Sequence, residues 1–184
     1  AGKTTTKDMI AALAGPQNVA ATLGNYNNRI GLPLSILAAP ETTKVFVAEL
    51  GINAPKEMDE LARVAKPNVA VLTHVAEAHL EGLHTYQNVL AEKMRIFAHM
   101  ASLGCTVILP EELDYTAHKE LVSQHHIRTF GKTATAAPVG ISWDGVAQVG
   151  QVRVDAKKYT IRLPLPGQHN LNNLLAALAA VEAV

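Results

Sequence analysis

Ala1-Gly2-Lys3-Thr4-Thr5-Thr6 reads as the second half of a phosphate-binding loop. The full pattern is a glycine, four further residues, then Gly-Lys-Thr. Backbone N–H groups of such a loop cradle phosphates, its lysine reaches the terminal phosphates, and its threonine hydroxyl meets Mg²⁺. Only two residues precede Lys3, so the first glycine of the pattern and the strand that feeds it are not in the sequence. The fragment fits the capped start of a helix as well as it fits a nucleotide site. The rest of the chain has to decide.

Working outward, Thr4 to Ala14 is expected to be a helix, with Met9, Ile10 and Leu13 on its apolar face and Gly15-Pro16 as its stop. Gly24 to Pro33, rich in Asn and Gly, reads as a loop. Val45-Phe46-Val47-Ala48 and Val69-Ala70-Val71-Leu72-Thr73 are unbroken apolar runs, the pattern of strands covered on both faces. Pro55 to Ala65 and Tyr86 to Leu103 read as helices, then a strand from Cys105 to Leu109, a helix from about Tyr115 to His125, and a strand from Ile127 to Phe130. Strands alternating with helices predict an α/β fold of phosphate-loop type, a mostly parallel sheet flanked by helices. From Val139 to Leu163 the segments shorten and alternate, with turn signals at Asp144-Gly145 and Asp155-Ala156-Lys157-Lys158, so a small antiparallel extension is expected there. A last helix runs from about Asn170 to Val184.

At 184 residues one domain with a substantial core is the simplest reading. The hydrophobic fraction of 48% and charged fraction of 17% argue against disorder. Sixteen basic residues balance sixteen acidic ones, which argues against a nucleic-acid or membrane surface. Cys105 is the only cysteine and lies in an apolar run, so it reads as a buried strand residue, and no internal disulfide can form. No stretch is long and apolar enough for a membrane span or a signal-peptide core. A cytoplasmic monomer is the expectation.

Several residues could carry chemistry. Glu49 ends an apolar strand, where ligands collect in an open parallel sheet, so with the partial phosphate loop it could face the same Mg²⁺ as Thr4; without that loop it would read as a solvated strand-end carboxylate. His79 follows the next strand and could join a cation site, and His74 competes with it on spacing. By spacing alone Lys93 is a lysine snorkelling past Ile96 and Phe97. Asn170 could cap the last helix, although Asn170, Asn172 and Asn173 together exceed what a cap requires.

Four blocks give the chain a resemblance to the central, ATP-binding domain of the Mur ligases, the cytoplasmic ATP-dependent amide ligases of peptidoglycan synthesis. They are Gly-Lys-Thr-Thr-Thr-Lys at 2–7, Glu-Leu-Gly at 49–51, Ala-His-Leu-Glu-Gly at 78–82 and Gly-Gln-His-Asn-Leu-Asn-Asn at 167–173. Gly24-Asn25-Tyr26-Asn27-Asn28-Arg29-Ile30-Gly31-Leu32-Pro33-Leu34 and Glu92-Lys93-Met94-Arg95-Ile96-Phe97 look most like the branch that adds D-Ala-D-Ala to UDP-MurNAc-tripeptide. The resemblance implies that Gly2, Lys3, Thr4 and Thr5 contact ATP, with Lys3 on the β/γ-phosphates. Thr4 and Glu49 would hold one Mg²⁺, and His79 a second one near an acyl phosphate. Lys93 matches a lysine that CO₂ converts to a carbamate anion able to help bind that second ion. Asn170 and Asn173 match asparagines near the adenine, and Asn27 and Asn28 a loop facing the muramoyl peptide. One departure is Ala54-Pro55-Lys56-Glu57, where the family commonly has His-Pro-Gly-Glu.

Residues 1–184 would then be the middle domain of a longer ligase whose uridine-binding N-terminal domain and C-terminal domain lie outside this sequence, and inactive alone. A ligase adding another amino acid, or a nucleotide-binding fragment without catalysis, are the rival readings.

Overall fold

The computed structural model describes residues 2–75 and 83–184. Helix α1 (Lys3–Leu13) leads to β1 (Val19–Ala21), α2 (Gly31–Leu37), β2 (Val45–Val47), α3 (Glu57–Ala65) and β3 (Val69–Val71). There follow α4 (Tyr86–Met94), β4 (Thr106–Pro110), α5 (Lys119–Val122) and β5 (His126–Phe130). The chain closes with β6 (Ala136–Trp143), β7 (Gln148–Val154), β8 (Lys157–Leu163) and α6 (Gln168–Val181). Strands β1 and β2 pair in parallel, and β3 to β8 form a second sheet in chain order. In that sheet β3 to β6 run parallel, while β6-β7-β8 are antiparallel. This is the expected α/β architecture with its antiparallel extension.

The apolar runs behave as strands covered on both faces. In β4, Val107 and Leu109 join a cluster built on Leu61, Met94 and Phe97. Ile108, one residue between them, joins the opposite cluster with Phe130, Val152 and Leu175 of α6. Period-two alternation thus divides one run between two cores. Cys105, just before β4, is buried and free. Helix α1 lies on the α6 side, where Met9 and Ile10 pack against the second cluster.

Four local expectations need correction. Helix α2 begins at Gly31, inside the stretch read as a loop, because Asn28 Oδ1 accepts from the N–H groups of Ile30 and Gly31 at 3.0 and 2.9 Å. Pro33 falls in the first turn, where the missing donor has no partner to lose. The expected helix to Leu103 stops being α-helical at Met94 and tightens into a 3₁₀ segment, Arg95–His99. That segment brings Arg95 and His99 onto Asp59 of α3, so a tertiary contact overrides the local period. The helix expected over 115–125 shrinks to a 3₁₀ turn and the single turn α5, in which only Val122 is buried. One anchor does not offset the cost of a long helix. Finally, α6 starts at Gln168, with Gly167 at its cap position and no side-chain cap. Asn170 lies in the first turn and donates to the Pro166 carbonyl at 2.8 Å rather than capping.

Lys56 has φ 72, the left-handed region. It stands where the resembled motif carries glycine, and a side chain there costs roughly 1–2 kcal/mol.

A cavity of about 490 Å³ separates the two sheets. Val45 and Val47 of β2 line one wall, Val69 and Val71 of β3 the other, and neither strand has a neighbour on that side among the described residues. At one end of the slot are Lys3, Glu49, His74 and Lys93. Among the described residues no helix is long and apolar enough to cross a membrane.

Candidate functional site

Gly2 adopts φ 81 immediately before α1, a conformation that disfavours any side chain. A Cβ there would also lie 2.4 Å from Asn173 Oδ1, so the start of α1 and the first turns of α6 meet at a point only glycine fits. Helix α1 has no side-chain cap and no acidic residue in its first turn. Its free N–H groups and positive dipole end are therefore available to an anion.

Glu49 follows β2 and is 6% exposed. Thr4 donates its hydroxyl to Glu49 Oε2 at 2.7 Å, across 45 residues of sequence. The Glu49 N–H donates to Thr22 Oγ1 at 3.0 Å, and Asn27 Nδ2 donates to Glu49 Oε1 at 2.9 Å. Lys7, one turn beyond Thr4 and 7% exposed, donates to the Thr22 carbonyl at 2.9 Å. Helix α1 thus braces both ends of this network. Neither Lys7 nor Thr22 was singled out by sequence, and only the repeat of a lysine four residues after Lys3 hinted at it.

No ion pair is formed by Glu49 among the described residues. The natural complement of a buried carboxylate held directly by neutral donors is a cation. A hydroxyl and a carboxylate oxygen are hard donors of the kind Mg²⁺ prefers, and that ion keeps several waters and phosphate oxygens as its other ligands. The donor set fits Mg²⁺. Among the described residues no group of three or more His, Cys, Asp or Glu gathers to hold a metal by protein ligands alone.

Lys93 lines the same end of the cavity and donates Nζ to the His74 carbonyl at 3.0 Å. Burial, and then the charge of Lys3, push its pKa below the ordinary 10.5. The His74 imidazole is likewise pushed down, first by burial and then by positive charge that includes Lys93. His79 lies outside the described residues. Thr5 follows Thr4 in α1 and is half-buried. Asn28 spends its side-chain oxygen on the start of α2. The structure therefore brings Lys3, Thr4, Glu49, Asn27 and Lys93 to one end of the slot, with Asn173 against Gly2 and Asn170 turned to its own loop. Gln148, unnoticed in the sequence, ties that loop to β7 by donating Nε2 to the carbonyls of Leu165 and Gly167 at 2.7 and 3.2 Å.

The family described as Mur ligase middle domain matches residues 1–181. A UDP-N-acetylmuramoyl-tripeptide--D-alanyl-D-alanine ligase of Bacillus subtilis is 36% identical over 182 residues, covering 97% of this chain and 38% of that protein. The protein of the same name from Escherichia coli is 30% identical, covering 97% and 40%. Among solved structures, MurF from Acinetobacter baumannii superposes with a TM-score of 0.92 at 30% identity, over 100% of this chain and 41% of that one. MurF ligase from Thermotoga maritima in complex with ADP gives 0.87 at 27% identity, over 99% and 43%. The chain spans about two fifths of the length of the curated relatives it matches.

Proposed function

Because the chain belongs to the Mur ligase family through its middle domain, we propose that residues 1–184 are the central ATP-binding domain of a longer, cytoplasmic ligase that joins D-Ala-D-Ala to UDP-MurNAc-tripeptide. The observation that supports this reading is the Thr4–Glu49 contact beside the free N-terminus of α1, with Lys3 on the same cavity. A phosphate-loop helix and a strand-end carboxylate meet where a nucleotide's phosphate tail and its ion would rest.

In the proposed reaction the peptide carboxylate attacks the γ-phosphorus of ATP, the bond to the β-bridging oxygen breaks, and ADP leaves an acyl phosphate. The D-Ala-D-Ala amine then attacks the acyl carbon, gives up a proton, and phosphate departs as the amide forms. The N–H groups of α1 and the Lys3 ammonium hold the phosphates and complement charge that shifts toward ADP. Thr4 and Glu49 would hold the ion, which when bound would neutralise phosphate charge. Because little covalent work falls to the protein, positioning and electrostatics supply the acceleration.

Lys93 is proposed as a carbamylated residue serving a second Mg²⁺ together with His79. Its lowered pKa supports this, since only an uncharged amine adds to CO₂. A nucleotide-bound crystal grown with CO₂ is expected to show added density on Nζ; a bare ammonium there would refute it.

The activity test uses the full-length protein, with ATP, UDP-MurNAc-tripeptide and a panel of amines. D-Ala-D-Ala is expected to drive phosphate release and amide formation. Turnover with a single amino acid, and none with the dipeptide, would overturn the assignment.

A further inference from the structure

Glu49 is gripped from two sides. The Thr4 hydroxyl donates to Oε2 at 2.7 Å, and the Asn27 amide donates to Oε1 at 2.9 Å. An ionised carboxylate only accepts, so the Asn27 nitrogen must be the group turned toward it. Asn27 is itself anchored, because its carbonyl accepts from the Gly51 N–H at 2.8 Å. Gly51 is not among the residues with positive φ, so its backbone does not call for glycine. What it provides is room. A Cβ on Gly51 would lie 2.9 Å from Asn27 Cγ and 3.0 Å from each of the two amide heteroatoms. All three obstructing atoms belong to the side chain that holds Glu49.

We infer that Asn27 is the positioning residue for Glu49 and that Gly51 is the clearance that lets its amide reach the carboxylate. The inference rests on reading Thr4 and Glu49 as the Mg²⁺ side of the nucleotide site. With the amide on Oε1 and the Thr4 hydroxyl on Oε2, the carboxylate is fixed in one orientation, in which its remaining lone pairs and the Thr4 oxygen would be the donors available to the ion. A neutral donor does this without adding charge, whereas an aspartate would set a second anion at hydrogen-bonding distance from Glu49. This role is distinct from a contact with the peptide substrate, and the two roles move different quantities. Loss of an outer partner of a metal-binding carboxylate weakens the ion; loss of a substrate contact raises KM for the peptide.

The test follows ADP binding to the full-length ligase by calorimetry across a Mg²⁺ titration. Asn27→Ala is expected to raise the Mg²⁺ requirement about 10- to 100-fold, with ADP affinity in the absence of Mg²⁺ unchanged. Gly51→Ala is expected to move the requirement in the same direction, and it reports on the same contact should Asn27→Ala fold poorly. The double variant is decisive. With Asn27 shortened, the new Cβ meets no amide, so Asn27→Ala/Gly51→Ala should match Asn27→Ala alone. Losses that simply add in the double variant overturn the inference. So does an Asn27→Ala protein with the parent's Mg²⁺ requirement and a raised peptide KM. If the parent protein shows no Mg²⁺-dependent ADP binding, the domain assignment falls together with the inference; a responsive parent with unresponsive variants sinks the inference alone.

Discussion

Replacing Lys3 by alanine in the full-length ligase is expected to lower kcat/KM about a thousandfold or more. That corresponds to at least about 4 kcal/mol of transition-state stabilisation. The ammonium lies at the end of the slot occupied by Glu49, His74 and Lys93, where water is partly excluded and charge acts over short distances. Most of the loss should fall on kcat, because the charge on the β/γ-bridge grows only as the phosphoryl group departs. Coupled phosphate-release kinetics measure it directly, and turnover within a few-fold of the parent would remove Lys3 from the mechanism. The same substitution takes away the second of the two causes that depress Lys93. The Lys93 pKa should rise, though not to its ordinary value, since burial remains.

The second large effect concerns stability. Asp59 is 6% exposed, with Arg95 Nε 2.5 Å from Oδ2 and His99 Nε2 2.8 Å from Oδ1. Burial works against its ionisation, but hydrogen bonds from Arg95 and then His99, together with their charges, outweigh it and hold the carboxyl below the ordinary 3.8. Asp59→Ala leaves a half-exposed guanidinium that water can reach and a more buried imidazole that it reaches poorly. The cost is expected to be about 2–3 kcal/mol, below that of breaking a fully buried pair because Arg95 is partly solvated. In a protein of this size the melting temperature should fall by roughly 5–10 °C. The sign of the pH effect follows from the lowered pKa. The contribution is complete above the unfolded value and is lost as pH falls through the folded one. Parent stability should therefore drop more steeply below about pH 4 than that of Asp59→Ala. Equal melting temperatures at pH 7 would show that α3 and the 3₁₀ segment are not held by this contact.

How much of this was legible depended on how local the cause was. The runs at 45–48, 69–73 and 105–109 announced strands through their unbroken apolar character, most fully covered in β4, and hairpin chemistry at Asp144-Gly145 announced the antiparallel end. Thr4 and Glu49 were placed together by the partial phosphate loop, the topological rule and the family resemblance, and they are hydrogen-bonded. Contacts that side chains make with distant parts of the chain left no comparable trace. Asn27 on Glu49, Lys7 on Thr22, and Arg95 with His99 on Asp59 join residues 15 to 40 positions apart through side chains whose types also suit a solvated surface. The last of these reshaped a helix that its local period had extended too far. Gly51 and Gly2 are positions where a distant contact did mark the sequence, because the space each leaves empty is used by an asparagine side chain, Asn27 and Asn173 respectively.

The slot between β2 and β3 has a practical corollary for anyone handling this stretch of polypeptide on its own. Two main-chain edges confront each other across it, walled by valines, and the Thr6 hydroxyl on its lining is buried with no partner. Bare edges of that kind act as templates that recruit extended peptide from other molecules. Concentration-dependent association of the isolated domain is therefore the expected behaviour, and light scattering across a dilution series would check it.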